Sequence, residues 1–275
     1  MRNLLSAGFA RLWRCKTLWL SCAFLAGSTV ISVWTRYSNS VQYDYHTNLD
    51  HAFVNYVLFI SIFIPIVCAL LIGTEFANGT IRNKVVCGHG RGSVYLSNLI
   101  VCSAASLIMC TAAVAPGLAL GLPLLGGFAM GTTRAAFFFL AAYALSLAWT
   151  ALFTALTMLV SNRTISVVAA ILLSLALLMA GSYLEGRLEA APTLQEFAIT
   201  VNGESIVEEY PNPAYVPEGP ARDTLQFLSD FTPGGQTVQH LKTADRPEVL
   251  IAYDAVLYVL FTAAGLFLFR RKDIK

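Results

Sequence analysis

The sequence predicts an all-α polytopic membrane protein: six transmembrane helices, an N-terminal interfacial helix, and a small mixed extracellular domain between the fifth and sixth spans. Three observations carry this. Hydrophobic residues make up 56% of the chain and charged residues 12%, with a mean hydropathy of +0.64, whereas an ordinary soluble domain carries about 25% charged side chains. Six apolar stretches reach the ~20 residues that a helix needs to cross the hydrocarbon, where no water satisfies a backbone that is not helical. The basic residues gather in alternate connections, as the positive-inside rule requires of a multi-span chain.

The elements follow in order. Leu5, Phe9, Leu12 and Trp13 make an apolar stripe at helical spacing, and Arg2, Arg11, Arg14 and Lys16 make the chain around them cationic. That is the pattern of a helix lying in the headgroup plane, although a basic leader that only sets topology needs the charges and not the stripe. The first span is expected from about Thr17 to Thr35, with Trp19 and Trp34 at its two interfaces. No A-x-A pattern follows it, so it reads as a retained span and not as a cleaved signal. The second to sixth spans are expected at Phe53–Gly73, Val94–Leu122, Ala135–Val160, Thr164–Leu184 and Val249–Phe269, with Pro116 tilting or kinking the third.

Six spans put both termini on one side. The bases before the first span, Arg82, Lys84 and Arg91 after the second, Arg163 after the fourth and Arg270, Arg271, Lys272 and Lys275 after the sixth fall together, against Arg36 and Arg134 in the short loops of the other side. Both termini are therefore expected in the cytoplasm of a protein embedded in the cell membrane. The resulting division is a membrane domain over 1–184, an extracellular domain over 185–248, and the last span with a basic tail over 249–275.

The segment from Glu185 to Glu248 holds eleven acids against four bases. It is too long to be a plain connector. Within it AITV-NG-ESIV predicts a hairpin turning at Asn202-Gly203, where both turn positions need positive φ. PNPAYVPEGP reads as a rigid connector, DTLQFLSDF as a short helix with Leu225, Leu228 and Phe231 on one face, and PGGQTVQHL as the start of another. The acids could draw in a cationic substrate, or simply keep an outer loop solvated.

The six cysteines lie in spans or on the basic side, which implies no disulfide framework. Cys87 with His89, and Asp44, His46, Asp50 and His51 in the first outer loop, have ligand chemistry without a complete ligand set, so no metal is expected. Asp254 is the one clear acid inside an apolar run and the candidate membrane-embedded polar site. Its position near one end favours snorkelling, or a polar contact with the external segment, over substrate binding. Small residues spaced by four, Ala113, Gly117 and Gly121 in the third span, Ala144 with Ala148 and Ala151 with Ala155 in the fourth, suit close helix contacts within or between chains.

The connection between the second and third spans, TEFANGTIRNKVVCGHGRGS, is the most distinctive stretch. Thr80 is placed to cap a short helix at about 79–88, with Ile81 and Val85 on its apolar side, Arg82 and Lys84 on its cationic side, and Gly88, Gly90 and Gly92 ending it. Such a helix at the inner surface could bind anionic lipid or dock a cytosolic protein.

These residues resemble the signature of the type-2 permeases of the ATP-binding-cassette superfamily. A Glu near the end of the second span, then Gly-Thr-Ile-Arg, then an Arg, then Tyr-Leu opening the third span, correspond here to Glu75, Gly79, Thr80, Ile81, Arg82, Arg91, Tyr95 and Leu96. The six spans, the N-terminal helix and the long external segment are similar too, and PNP with FLSDFTPGGQ resembles the bacitracin-type, peptide-antibiotic branch. His89-Gly90 departs from the more usual hydrophobic and small pair.

The resemblance implies a permease subunit whose short helix couples it to a separate ATPase, through Glu75, Gly79, Thr80, Ile81, Arg82, Lys84 and Arg91. ATP and Mg would be held by that partner, since this chain has no G-x-x-x-x-G-K-[ST] phosphate loop, no cofactor of its own and no enzymatic motif. It also implies a second permease copy or a related one, a lipid bilayer, no nucleic acid, and export of a peptide or amphipathic substrate with a role in antimicrobial-peptide resistance. The alternative is a sensory or signalling membrane component that binds a ligand through its acidic external domain.

Overall fold

The computed structural model describes residues 1–44, 48–199, 205–242 and 246–273. Six of its helices are long and apolar enough to cross a membrane among the described residues. After a twelve-residue helix, α1 (Arg2–Trp13), come α2 (Lys16–Tyr43), α3 (Val54–Ala77), the short α4 (Thr80–Val86), α5 (Arg91–Leu125), α6 (Thr132–Leu159) and α7 (Arg163–Leu188). Two strands, β1 (Thr193–Ile199) and β2 (Ser205–Pro211), lead to α8 (Pro220–Phe231), α9 (Pro233–Leu241) and α10 (Pro247–Arg271).

Each span is longer than its apolar run. A helix continues into the polar interface because every backbone group there still needs a partner and an intrahelical bond supplies it. Thus α2 continues through Ser38, Asn39 and Ser40 to Tyr43, and α5 reaches Leu125, with Pro116 and Pro123 inside it.

The small-residue stripe of α5 is used within the chain. Ala113 is buried, a Cβ on Gly117 would lie 2.5 Å from the Thr29 methyl of α2 and 2.6 Å from the Phe53 ring, and one on Gly121 would lie 2.3 Å from Leu49. Ala155 of α6 likewise meets Gly265 of α10, where an added Cβ would fall 2.7 Å from it. Small residues here let helices approach without a hydrophobic driving force between them.

The interfacial helix is rotated slightly from the expected stripe. Leu4, Gly8 and Leu12 are the buried face of α1, with Gly8 seated against Val101 of α5, while Leu5 and Phe9 are half-buried and Trp13 is exposed. Trp13 stacks on Trp19, with ring centroids 5.5 Å apart, and accepts at its carbonyl from the Trp19 indole N–H at 2.9 Å.

In the segment 185–248, β1 and β2 pair antiparallel from Thr193↔Pro211 to Ile199↔Ser205, in the register of a hairpin, and Asn202-Gly203 lies outside the described residues. His46, in the connection between α2 and α3, does too. On α8, Phe231 and Leu225 are half-buried as expected but Leu228 is exposed; the side chain that turns fully inward is Ser229. Phe231 and Phe227 stack together, and both meet Tyr253 of α10 edge-on.

The helix α9 is sunk among the spans. Thr232 caps it, accepting from the Gly235 N–H at 3.3 Å, and Pro233 fits the first turn, where no amide donor is needed. A Cβ on Gly234 would lie 1.9 Å from the Leu177 carbonyl oxygen, so only glycine admits this contact with α7. Leu177 is about 16 Å along α7 from its end at Leu188. The Thr237 hydroxyl lies 3.0 Å from that of Ser61 on α3 and accepts from the Trp149 indole N–H at 3.2 Å, while Ser174 on α7 donates to the Ser61 carbonyl at 2.8 Å. A clasp closes the end of α7: Glu185 accepts from Ser229, and Lys242 pairs with Glu189 at 2.6 Å and Glu185 at 3.7 Å.

Candidate functional site: a coupling node between the second and third spans

The chain leaves α3 at Ala77 and must reverse direction within a few residues. Gly79 makes this possible, because its φ of +65° lies in the left-handed region that a Cβ disfavours. Gly79 is also the residue preceding the first turn of α4, which corrects the expectation that Thr80 caps the helix. Thr80 lies inside the helix instead, and its hydroxyl donates back to the Glu75 carbonyl at 2.9 Å, stitching α4 to the last turn of α3. Ile81 is fully buried and anchors the short helix to the bundle.

Glu75 is the centre of this corner. Its carboxylate is 1% exposed and is paired with Arg11 of α1 and Lys84 of α4, both at Oε1, while Asn98 of α5 donates to Oε2 at 3.0 Å. Four helices thus converge on one carboxylate. A buried carboxylate is tolerable only when cations and donors surround it, and removing one member leaves an uncompensated charge. The expected cationic side of α4 divides accordingly: Lys84 is turned inward as an internal counter-ion, and Arg82 is exposed. Beside Arg82 the outer face carries Asn83, Val86 and Cys87, and Val86 is 78% exposed, a large apolar side chain with nothing over it among the described residues.

His89, the departure from the usual pattern, has a structural task. Its backbone N–H donates to the Lys84 carbonyl at 3.1 Å and its Nδ1 lies 3.2 Å from the same oxygen, closing the end of α4. Gly88, at φ +85°, makes that turn.

Arg91 faces elsewhere. Its Nη1 donates to the carbonyls of Lys272 at 2.6 Å and Arg270 at 3.0 Å, so the start of α5 holds the end of α10. Lys272 in turn donates to the Met158 carbonyl at 3.0 Å and lies 4.3 Å from the centre of the Phe76 ring, next to Glu75 in sequence. Burial pushes the Lys272 ammonium down to about 8. The structure therefore brings Glu75, Gly79, Thr80, Ile81 and Lys84 into one corner with Arg82 on its outside, and sets Arg91 in a neighbouring clamp. Arg11 and Asn98 were missed in the sequence, although a lone Asn in the apolar run of the third span was a visible signal. In the sequence Lys272 is a topology marker and nothing more.

Asp254 is far from this node, about 24 Å along α10 from Arg270. It is 1% exposed, so it does not snorkel to an interface. Its polar neighbour is Gln236 of α9, in the segment 185–248.

The family of ABC-2 family transporter proteins matches residues 4–181, from α1 through most of α7 and including the whole node. A comparison with curated proteins finds no match.

Proposed function

The chain belongs to the ABC-2 transporter family and is a membrane permease component, and from that premise we propose that α4 is the element through which an ATPase subunit drives it. The observation that carries this is the division of α4 into two faces. Its inner face is fixed by Ile81 and by Lys84 on Glu75, and its outer face offers Arg82 and Val86. A push on the outer face would be passed through Glu75 to α1, α3 and α5 together. A helix held this firmly moves as a lever and not as a loose loop.

On this reading the ATPase is a separate chain that holds ATP and Mg, and closure of its domains rocks the spans between inward and outward arrangements. The end of the bundle carrying Arg11, Glu75, Lys84, Arg91 and Lys272 faces the cytoplasm, on the charge bias of the connections. The permease works with a second copy or a related permease, and exports a peptide or amphipathic compound, which accords with antimicrobial-peptide resistance. The test is substrate-stimulated ATP hydrolysis in the complex purified with its ATPase and reconstituted in lipid. Arg82→Glu with Val86→Glu should abolish stimulation while insertion and folding persist; survival of stimulation would rule out docking at α4.

A further inference from the structure

The buried Asp254 carboxyl has no positive partner among the described residues. It sits on the inner side of α10, which packs chiefly on α6 and also on α5 and α8. Neither of its oxygens has a hydrogen-bond partner among the described residues, and the Oε1 of its neighbour Gln236, itself fully buried on α9, has none either. An isolated carboxylate out of water is prohibitively costly, so the charge must be cancelled or matched.

The ionisable groups on the surrounding elements are engaged elsewhere. On α8, Arg222 donates to the carbonyls of Val216 at 3.0 Å and Leu188 at 2.7 Å, and Asp230 accepts from Gln226 and Gln239. On α9, His240 Nδ1 lies 2.9 Å from the Gln236 carbonyl, while its Nε2 is buried without a hydrogen-bond partner and bonds to neither Asp254 oxygen. On α6, the Tyr143 hydroxyl is 3.0 Å from that of Thr111, and neither it nor Arg134 bonds to Asp254. Cys110 of α5 interacts with Ser146. Further along α10 and the facing side of α5, Thr262 Oγ1 and Tyr95 Oη are likewise buried without partners.

We propose that Asp254, beside Gln236, is a cation-accepting site whose positive charge comes from outside the chain, as a proton or a small monovalent cation. Three oxygen acceptors without a partner, one of them able to carry a full charge, are the donor set for such a guest and not for an anion or an apolar molecule. The site lies between a transmembrane helix and the sunken α9, so loading it would change how firmly those two elements hold together. Its existence does not depend on docking at α4, and the experiment below needs no ATPase.

The test uses the full chain in lipid nanodiscs, treated with a membrane-soluble carbodiimide, which attacks protonated carboxyls, and read by peptide mass analysis at Asp254. Labelling is followed across pH in choline chloride, sodium chloride and methylammonium chloride at equal ionic strength. If the guest is a proton, labelling at Asp254 falls about tenfold per pH unit on the alkaline limb and is indifferent to the salt. If it is a metal cation, sodium slows labelling at fixed pH by about tenfold or more when its concentration is ten times its dissociation constant. If it is an ammonium group, methylammonium does so and sodium does not. Labelling that is indifferent to both pH and salt, or no labelling of Asp254 under any condition, overturns the proposal.

Discussion

Lys84 on α4 and Glu75 on the last turn of α3 form an ion pair whose carboxylate is buried while the helix carrying the lysine presents its opposite face to the outside. That one contact makes α4 part of the bundle. Glu75→Ala removes the common partner of Arg11, Lys84 and Asn98 and should destabilise the protein by about 3–5 kcal/mol, the cost of an uncompensated buried charge. Melting in detergent checks it. Adding Lys84→Met to Glu75→Ala should cost less than the sum of the two single changes, because the stranded ammonium is then gone.

The outer face of α4 should behave in the opposite way. Arg82→Glu and Val86→Glu alter exposed side chains with no internal partner among the described residues, so each should change stability by no more than about 0.5 kcal/mol. Loss of substrate-stimulated ATP hydrolysis without loss of melting temperature is the expected pair of results. A large drop in melting temperature would show that this face is structural.

Arg91→Ala should free the end of α10 from the start of α5 by removing two charge-assisted hydrogen bonds. Hydrogen exchange at residues 268–273 should accelerate, with α4 unaffected. Arg91→Lys should restore little, since an ammonium on a flexible stem does not reproduce the guanidinium fork.

Gly234→Ala places a methyl 1.9 Å from the Leu177 carbonyl oxygen, and main chain cannot yield as a side-chain tip can. A loss of about 1–3 kcal/mol or more is expected, together with release of α9 from α7. Gly27→Ala, with open space around it, is the control and should be neutral or slightly stabilising within the helix.

Stability should depend on pH through Lys272. Burial lowers its value from 10.5 to about 8, so between those limits the unfolded chain binds the proton and the folded chain does not. Stability therefore rises with pH across that window, and the contribution is lost as pH falls through about 8. Melting of Lys272→Met followed from neutral to strongly alkaline pH should show a shallower rise than the parent.

The spans were legible because apolar length is a strong signal and the bilayer permits few alternatives to a helix. So was the corner at 79–88, through Gly-Thr-Ile-Arg and the glycines around it. Partnership was not. Nothing in the spacing of Arg11 and Glu75, which lie 64 positions apart, announces an ion pair, and Lys84 looks as free as Arg82 although the two positions between them, about half a helical turn, separate outward from inward. The depth of α9 was hidden for a related reason: PGGQTVQHL is polar enough to read as an outer helix, and its burial is made tolerable by a hydroxyl partner on α3 and an amide partner on α8.

The seat of α9 bears on how much of this protein can stand alone. The stretch that matches the transporter family stops at residue 181, yet the Trp149 indole N–H inside it donates to Thr237, well beyond that limit, and Ser61, which donates to its own helix at Val57, meets the same hydroxyl. Severed there, the remaining helices would leave the Trp149 indole N–H without the oxygen that receives it. The final third is thus a keystone for the spans made before it, closing the Trp149 contact and the seat against Leu177.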